Sequence, residues 1–263
     1  MVDSPHFDAS ASDTETTLSR HQLRRLFGAA VALSVVLGLV PGGGYVIYPF
    51  RLFATWAHEM GHGVGAMLTG NNFDRLELYR NLGGVAFIGG ADGVSQVIVS
   101  SLGLVGPAIL GAIVMIAGSR PRSAHYVLAG LAVAVGVSLM FYVRNVFGFV
   151  SMSAIAAVLV LVARFAPPLW RVVMAQLLAV QLALSAWSSR DYLFISGFER
   201  DGRQFDSDTQ NIADEWFLPY WFWGGLLGGL SIVILALAFW VAWVRPIAGT
   251  EPDRELRRSF DDG

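Results

Sequence analysis

The chain contains no cysteine and no lysine, and only 14% of its 263 residues are charged. Without cysteine there is no disulfide, no thiolate nucleophile and no cysteine-ligated metal, so a metal site must come from His, Asp or Glu. Soluble domains carry roughly a quarter charged residues. The deficit, beside a hydrophobic share of 54%, places the chain among membrane proteins. Its formal net charge is −2 and no stretch forms a basic patch, so nucleic acid is not an expected partner. Residues 1–25 are polar and end in Arg20, Arg24 and Arg25. They lack a small-residue cleavage signature after the first apolar run, and so read as a disordered tail ahead of a retained anchor. Residues 246–263 read as a second, charged tail. The span 26–245 between them is expected to be one membrane-embedded domain, with no internal repeat and no inserted recognition module.

What the chain has in quantity is apolar length. A helix needs about 20 mostly apolar residues to cross a bilayer. Runs at 26–50, 94–119, 123–143, 145–163, 172–189 and 216–244 approach or exceed this, and 50–69 adds a seventh. Arginines flank both ends of the apolar region, which favours both termini on the cytoplasmic side and hence an even number of crossings. Pro41-Gly42-Gly43-Gly44 is where the backbone breaks most easily, so that segment is the expected incomplete or re-entrant one. The expected fold is an all-α polytopic membrane protein of six or seven transmembrane helices. One interruption, "FDRLELYRN" followed by "GG" and "VAFIGG", alternates in part and predicts a β-hairpin over 73–88 at the membrane face. A second polar connection, 190–215, holds ten charged residues, seven of them acidic.

The chemistry concentrates in "RLFATWAHEMGHGVGAMLTG", residues 51–70. On a helix, His58 and His62 are four apart and share a face, and Glu59 follows the first. An ionisable group at mid-bilayer costs on the order of 3 kcal/mol even on insertion scales, so these three require partners. HExxH supplies two zinc ligands and a general base. Zinc with three protein ligands keeps a fourth position for water and lowers its pKa to about 7; a carboxylate at Glu59 takes the proton as that water attacks a carbonyl. The alternative is a structural His–Glu network between helices. Gly61 and Gly65 form GxxxG, a pattern for close helix packing.

With "HEMGH" in an apolar helix and the hairpin-like block after it, the sequence resembles the site-2 protease family of intramembrane zinc metallopeptidases. Its compact B-like branch fits best. Blocks like "SLGLVGPAILGA", "RNVFG" and "SDTQNIA" follow in order, and the resemblance covers residues 45–230. It implies a third ligand, an aspartate from a later segment. The Leu-Asp-Gly form common elsewhere in the family is absent. Asp92, in "ADG", suits a turn. Asp191, at the end of a long apolar run, is the favoured ligand, with an ion pair to Arg190 as its alternative. Asp208 in "FDSDTQNIADEW" is the runner-up, since Ser207 or Asp208 would also serve to cap the helix that follows. Asn145 is a candidate to orient a substrate carbonyl or stabilise the oxyanion, or else an interhelical hydrogen-bonding residue.

The expected activity is therefore intramembrane zinc-dependent peptide-bond hydrolysis. The substrate is another transmembrane protein, the cofactor is Zn2+, and the setting is the lipid bilayer of a bacterial-type plasma membrane. The hairpin either presents an edge that holds an unwound substrate by strand addition, the use the resemblance implies, or merely packs over the site. A catalytically inactive metal-binding scaffold and a metal or proton transporter are the competing readings.

Overall fold

A computed structural model describes residues 20–188, 193–200 and 203–244; the tail at 1–19 and residues 245–263 lie outside it. Apolar runs become helices: α1 (Arg20–Leu39), α2 (Gly43–Leu68), α3 (Gly93–Ala117), α4 (Pro121–Phe141), α5 (Val146–Phe165) and α6 (Pro168–Ser188). A short α7 (Asp208–Glu215) precedes α8 (Tyr220–Phe239), which ends in a π turn, Trp240–Val244. Strands β1 (Asn72–Leu78) and β2 (Gly84–Gly89) form an antiparallel hairpin between α2 and α3, as the alternation in that block predicts. A second hairpin, β3 (Gly197–Arg200) with β4 (Arg203–Asp206), leads into α7; nothing in the sequence reading anticipated it.

Among the described residues, five helices are long and apolar enough to cross a membrane, and α1 with α2 makes a sixth span if that bent pair counts as one. The runs 26–50 and 50–69 are thus not two separate spans. The chain breaks at 40–42 and turns by 118°. Gly42 sits at φ 82°, a left-handed conformation open mainly to glycine, and a Cβ on Gly43 would meet the Leu37 carbonyl oxygen at 2.1 Å. At the far end, Arg24 donates from Nε to the Trp243 carbonyl at 3.0 Å, and Phe27 packs on Trp243 and Phe239. The starts of α1 and the end of the last helix therefore meet, which agrees with an even count of six.

The packing places α2 centrally. Trp56 on α2 donates to the Ser138 hydroxyl of α4 at 2.9 Å. Gly61 and Gly65 bring the α2 backbone against Leu102 and Val99 of α3, the close approach that GxxxG permits. β1 buries Phe73, Leu76 and Leu78; Phe73 fills the space beside Gly63 and stacks on Tyr142 at 4.2 Å. The hairpin turn is pinned to α2 at two points, where Tyr48 donates to the Arg80 carbonyl and Thr55 to the Leu82 carbonyl, both at 2.8 Å.

Candidate metal centre

His58 and His62 lie one turn apart on α2 and face the same way. Their rings stand edge to face, 4.7 Å between centroids, with the two Nε2 atoms 3.1 Å apart. Asp208, first residue of α7, completes the group. Its Oδ2 is 3.3 Å from His58 Nε2 and 3.4 Å from His62 Nε2. Among the described residues this is the one cluster of three such side chains whose donor atoms converge.

Each member is oriented by its surroundings. His62 Nδ1 lies 3.0 Å from the Val99 carbonyl of α3. A carbonyl only accepts, so Nδ1 carries the proton and Nε2 presents its lone pair to the centre. Gly103 leaves room for the ring: a Cβ there would come within 2.0 Å of His62 Cε1. Asp208 is held by the corner between β4 and α7. Ser207 caps the helix, accepting from the Gln210 N–H at 3.1 Å, and donates to the Ile195 carbonyl at 2.6 Å. With capping done by Ser207, the Asp208 carboxylate is left to face the imidazoles.

The donor set fits a small divalent cation. Asp208 Oδ2 is buried with no hydrogen-bond partner, although two imidazole nitrogens lie close to it. Burial alone would raise its carboxyl; the imidazoles when protonated, His62 foremost, override this and hold it below the usual carboxylate range, and a divalent cation between the three donors would favour the anion in the same way. Tetrahedral donors at bond lengths of about 2.0–2.2 Å stand roughly 3.3–3.6 Å apart, close to the three spacings of 3.1, 3.3 and 3.4 Å observed.

Glu59 stands outside this cluster but beside it. It is buried at 5% exposure and interacts electrostatically with His58, His62 and Asp208. Its other neighbour is the hairpin. The Ala86 backbone lies near its carboxylate, and Gly84 leaves it space, since a Cβ there would lie 2.6 Å from both Cγ and Oε1 of Glu59.

The remaining candidates fall elsewhere. Asp191 lies outside the described residues. Asp92 takes the N-cap position ahead of α3, where the Ser95 hydroxyl accepts from its N–H at 3.0 Å and donates to its carbonyl at 2.8 Å, a capping position where the sequence suggests a turn. Asn145 directs its amide to β1, accepting from the Leu78 N–H at 3.1 Å and donating to the Leu78 carbonyl. Three contributors carry little sequence signal. The Val99 carbonyl has none, while Gly103 and Gly84 are legible only as glycines in "SLGLVG" and "NLGGVAF".

Comparison with known families agrees with this geometry. The model of one family, described as Peptidase M50B-like, matches residues 27–238. No curated protein and no solved structure matches the chain. The matched span takes in the HExxH helix, the hairpin and α7, and covers most of the sequence; the chain belongs to the Peptidase M50B-like family, within the site-2 protease family of membrane metallopeptidases.

Proposed function

We propose that the protein is an intramembrane zinc endopeptidase that cleaves other membrane-spanning segments, with His58, His62 and Asp208 as ligands and Glu59 as general base. The observation that carries this is the convergence of three donor atoms within 3.4 Å of one another, with a buried carboxylate at their side. Zinc held there by these three side chains would supply a Lewis acid for a carbonyl and would lower the pKa of a water to about 7. Glu59 takes the proton from water as its oxygen bonds to the scissile carbonyl carbon, then delivers it to the departing nitrogen as the C–N bond breaks. The products are a carboxylic acid and an amine.

The hairpin supports an extended substrate. Leu76 gives its N–H and C=O to Tyr142 and Arg144, so these groups point away from β2. Antiparallel alternation then turns the N–H and C=O of its partner Ala86 outward as well. β2 thus has an outer edge, and Glu59 lies along it. A substrate segment unwound against that edge brings its backbone to the base. Access for water requires a polar path enclosed by protein. From its apolar helices and its family we infer a multi-pass protein of a bacterial-type plasma membrane.

Glu59→Gln tests the assignment. Metal content, measured by elemental analysis of purified protein, stays at the wild-type level, and cleavage of co-expressed membrane substrates falls by about 10²–10⁴. Equal cleavage by both proteins rejects Glu59 as the base. Flux of metal or protons across sealed vesicles without cleavage would favour a transporter instead.

A further inference from the structure

We propose that Asn145 is a positioning residue: its side-chain amide replaces a missing strand and fixes the hairpin against Glu59. The segment before α5 begins a parallel pairing with β1. Leu76 donates to the Tyr142 carbonyl at 2.9 Å, Arg144 donates to the Leu76 carbonyl at 3.2 Å, and Val143 bridges Leu76. Regular continuation would bring the next backbone carbonyl and N–H to Leu78. The chain instead turns into α5 after Asn145, which takes the N-cap position at φ −104°, ψ 149°. The Asn145 amide fills the gap, with Oδ1 accepting from the Leu78 N–H and Nδ2 donating to its carbonyl. Of the common N-cap residues, only asparagine offers both a donor and an acceptor in the shape of a peptide group. It does so without capping its own helix, since no side-chain cap bond is made there.

The surroundings are shaped for this amide. A Cβ on Gly148 would fall 2.4 Å from Asn145 Oδ1, so glycine one turn into α5 leaves the side chain room. On the other side of β1, Leu78 pairs with Gly84, and Gly84 is the residue against Glu59. A continuous line therefore runs from the Asn145 amide through Leu78 and Gly84 to the Glu59 carboxylate. "RNVFG" places Asn145 and Gly148 three apart, which is the spacing this arrangement uses.

The consequence for catalysis rests on the peptidase reading, but the placement of the strand does not. The absence of cysteine permits spin labels on introduced cysteines at Leu68, which is exposed at the end of α2, and Asn81 in the hairpin turn. In wild type the distance distribution between them is narrow. Asn145→Ala broadens or shifts it, leaves zinc content unchanged, and lowers kcat by about 100-fold, the scale of a 1 Å misplacement. Gly148→Ala, which keeps the asparagine and displaces its amide, changes both readouts in the same direction although alanine ordinarily favours a helix. This second variant serves if Asn145→Ala fails to fold. An unchanged distance distribution in the folded variant overturns the proposal, as does wild-type kcat with zinc bound. Should the wild type cleave nothing, the peptidase reading fails while the labels still decide the strand's placement.

Discussion

The two flanks of α2 differ in how they are packed. Toward α3, helix backbones touch: a Cβ on Gly61 would strike the Leu102 carbonyl oxygen at 2.3 Å, and one on Gly65 would lie 2.9 Å from Val99 Cα. Toward α5 and α6, an apolar groove of about 310 Å³ remains, lined by Tyr48, Phe53, Ile155, Leu159, Met174 and Leu178 among others. The histidines lie against the tight flank, where Val99 and Gly103 fix the ring of His62. Metal-ligand geometry tolerates little error, and small residues are how helices in lipid achieve a rigid contact. The open flank carries no ligand, and its Tyr48 connects it to the hairpin turn through the Arg80 carbonyl. One helix thus holds a rigid centre on one side and a loosely filled space on the other.

The comparison breaks most severely at Asp208, because the tight flank supplies only two of the three proposed ligands. Asp208→Ala leaves two imidazoles without an anion, and zinc affinity falls by at least about 100-fold, beyond the range known for outer-shell partners. Competition with a chromophoric chelator measures this. Retention of full affinity would remove Asp208 from the site. Gly103→Ala comes next. Its methyl group must displace the His62 ring, so zinc affinity drops by about 10–100-fold, as for the loss of an orienting partner, although no ligand has been altered. Normal affinity in the same chelator assay would show that the flank yields more readily than its contacts indicate.

Much of this architecture is legible in the sequence, because its signals are local. HExxH at helical spacing puts two imidazoles on one face, apolar length marks the spans, and Pro41-Gly42 marks the break. The alternation around Leu76 and Leu78 marks the hairpin. What escapes depends on contacts between distant segments. Asp208 converges with His58 across 150 positions, and no spacing rule relates a residue on α7 to one on α2. Its sequence also suits a helix cap, an ambiguity resolved only by Ser207 taking that role. Asn145 is conspicuous as a polar residue opening an apolar helix, yet its partner is a strand 67 positions away. The second hairpin lies among charged residues with no apolar alternation, so periodicity had nothing to detect.

The smallest effect sharpens the contrast most directly. Gly61→Ala on the tight flank forces a methyl group against a backbone carbonyl that cannot rotate away, and overpacking of this kind costs about 1–3 kcal/mol. Ala154→Leu on the groove flank adds three carbons where space exists. Each buried methylene contributes about 0.8 kcal/mol in water and less in lipid, where only packing contacts are gained; stability therefore changes by less than about 1 kcal/mol. Thermal unfolding of both variants in one detergent compares them. The larger substitution is expected to be the milder, because α2 touches backbone on one side and open apolar space on the other. If Ala154→Leu proves as damaging as Gly61→Ala, the groove is closed in the folded protein and the two flanks are alike.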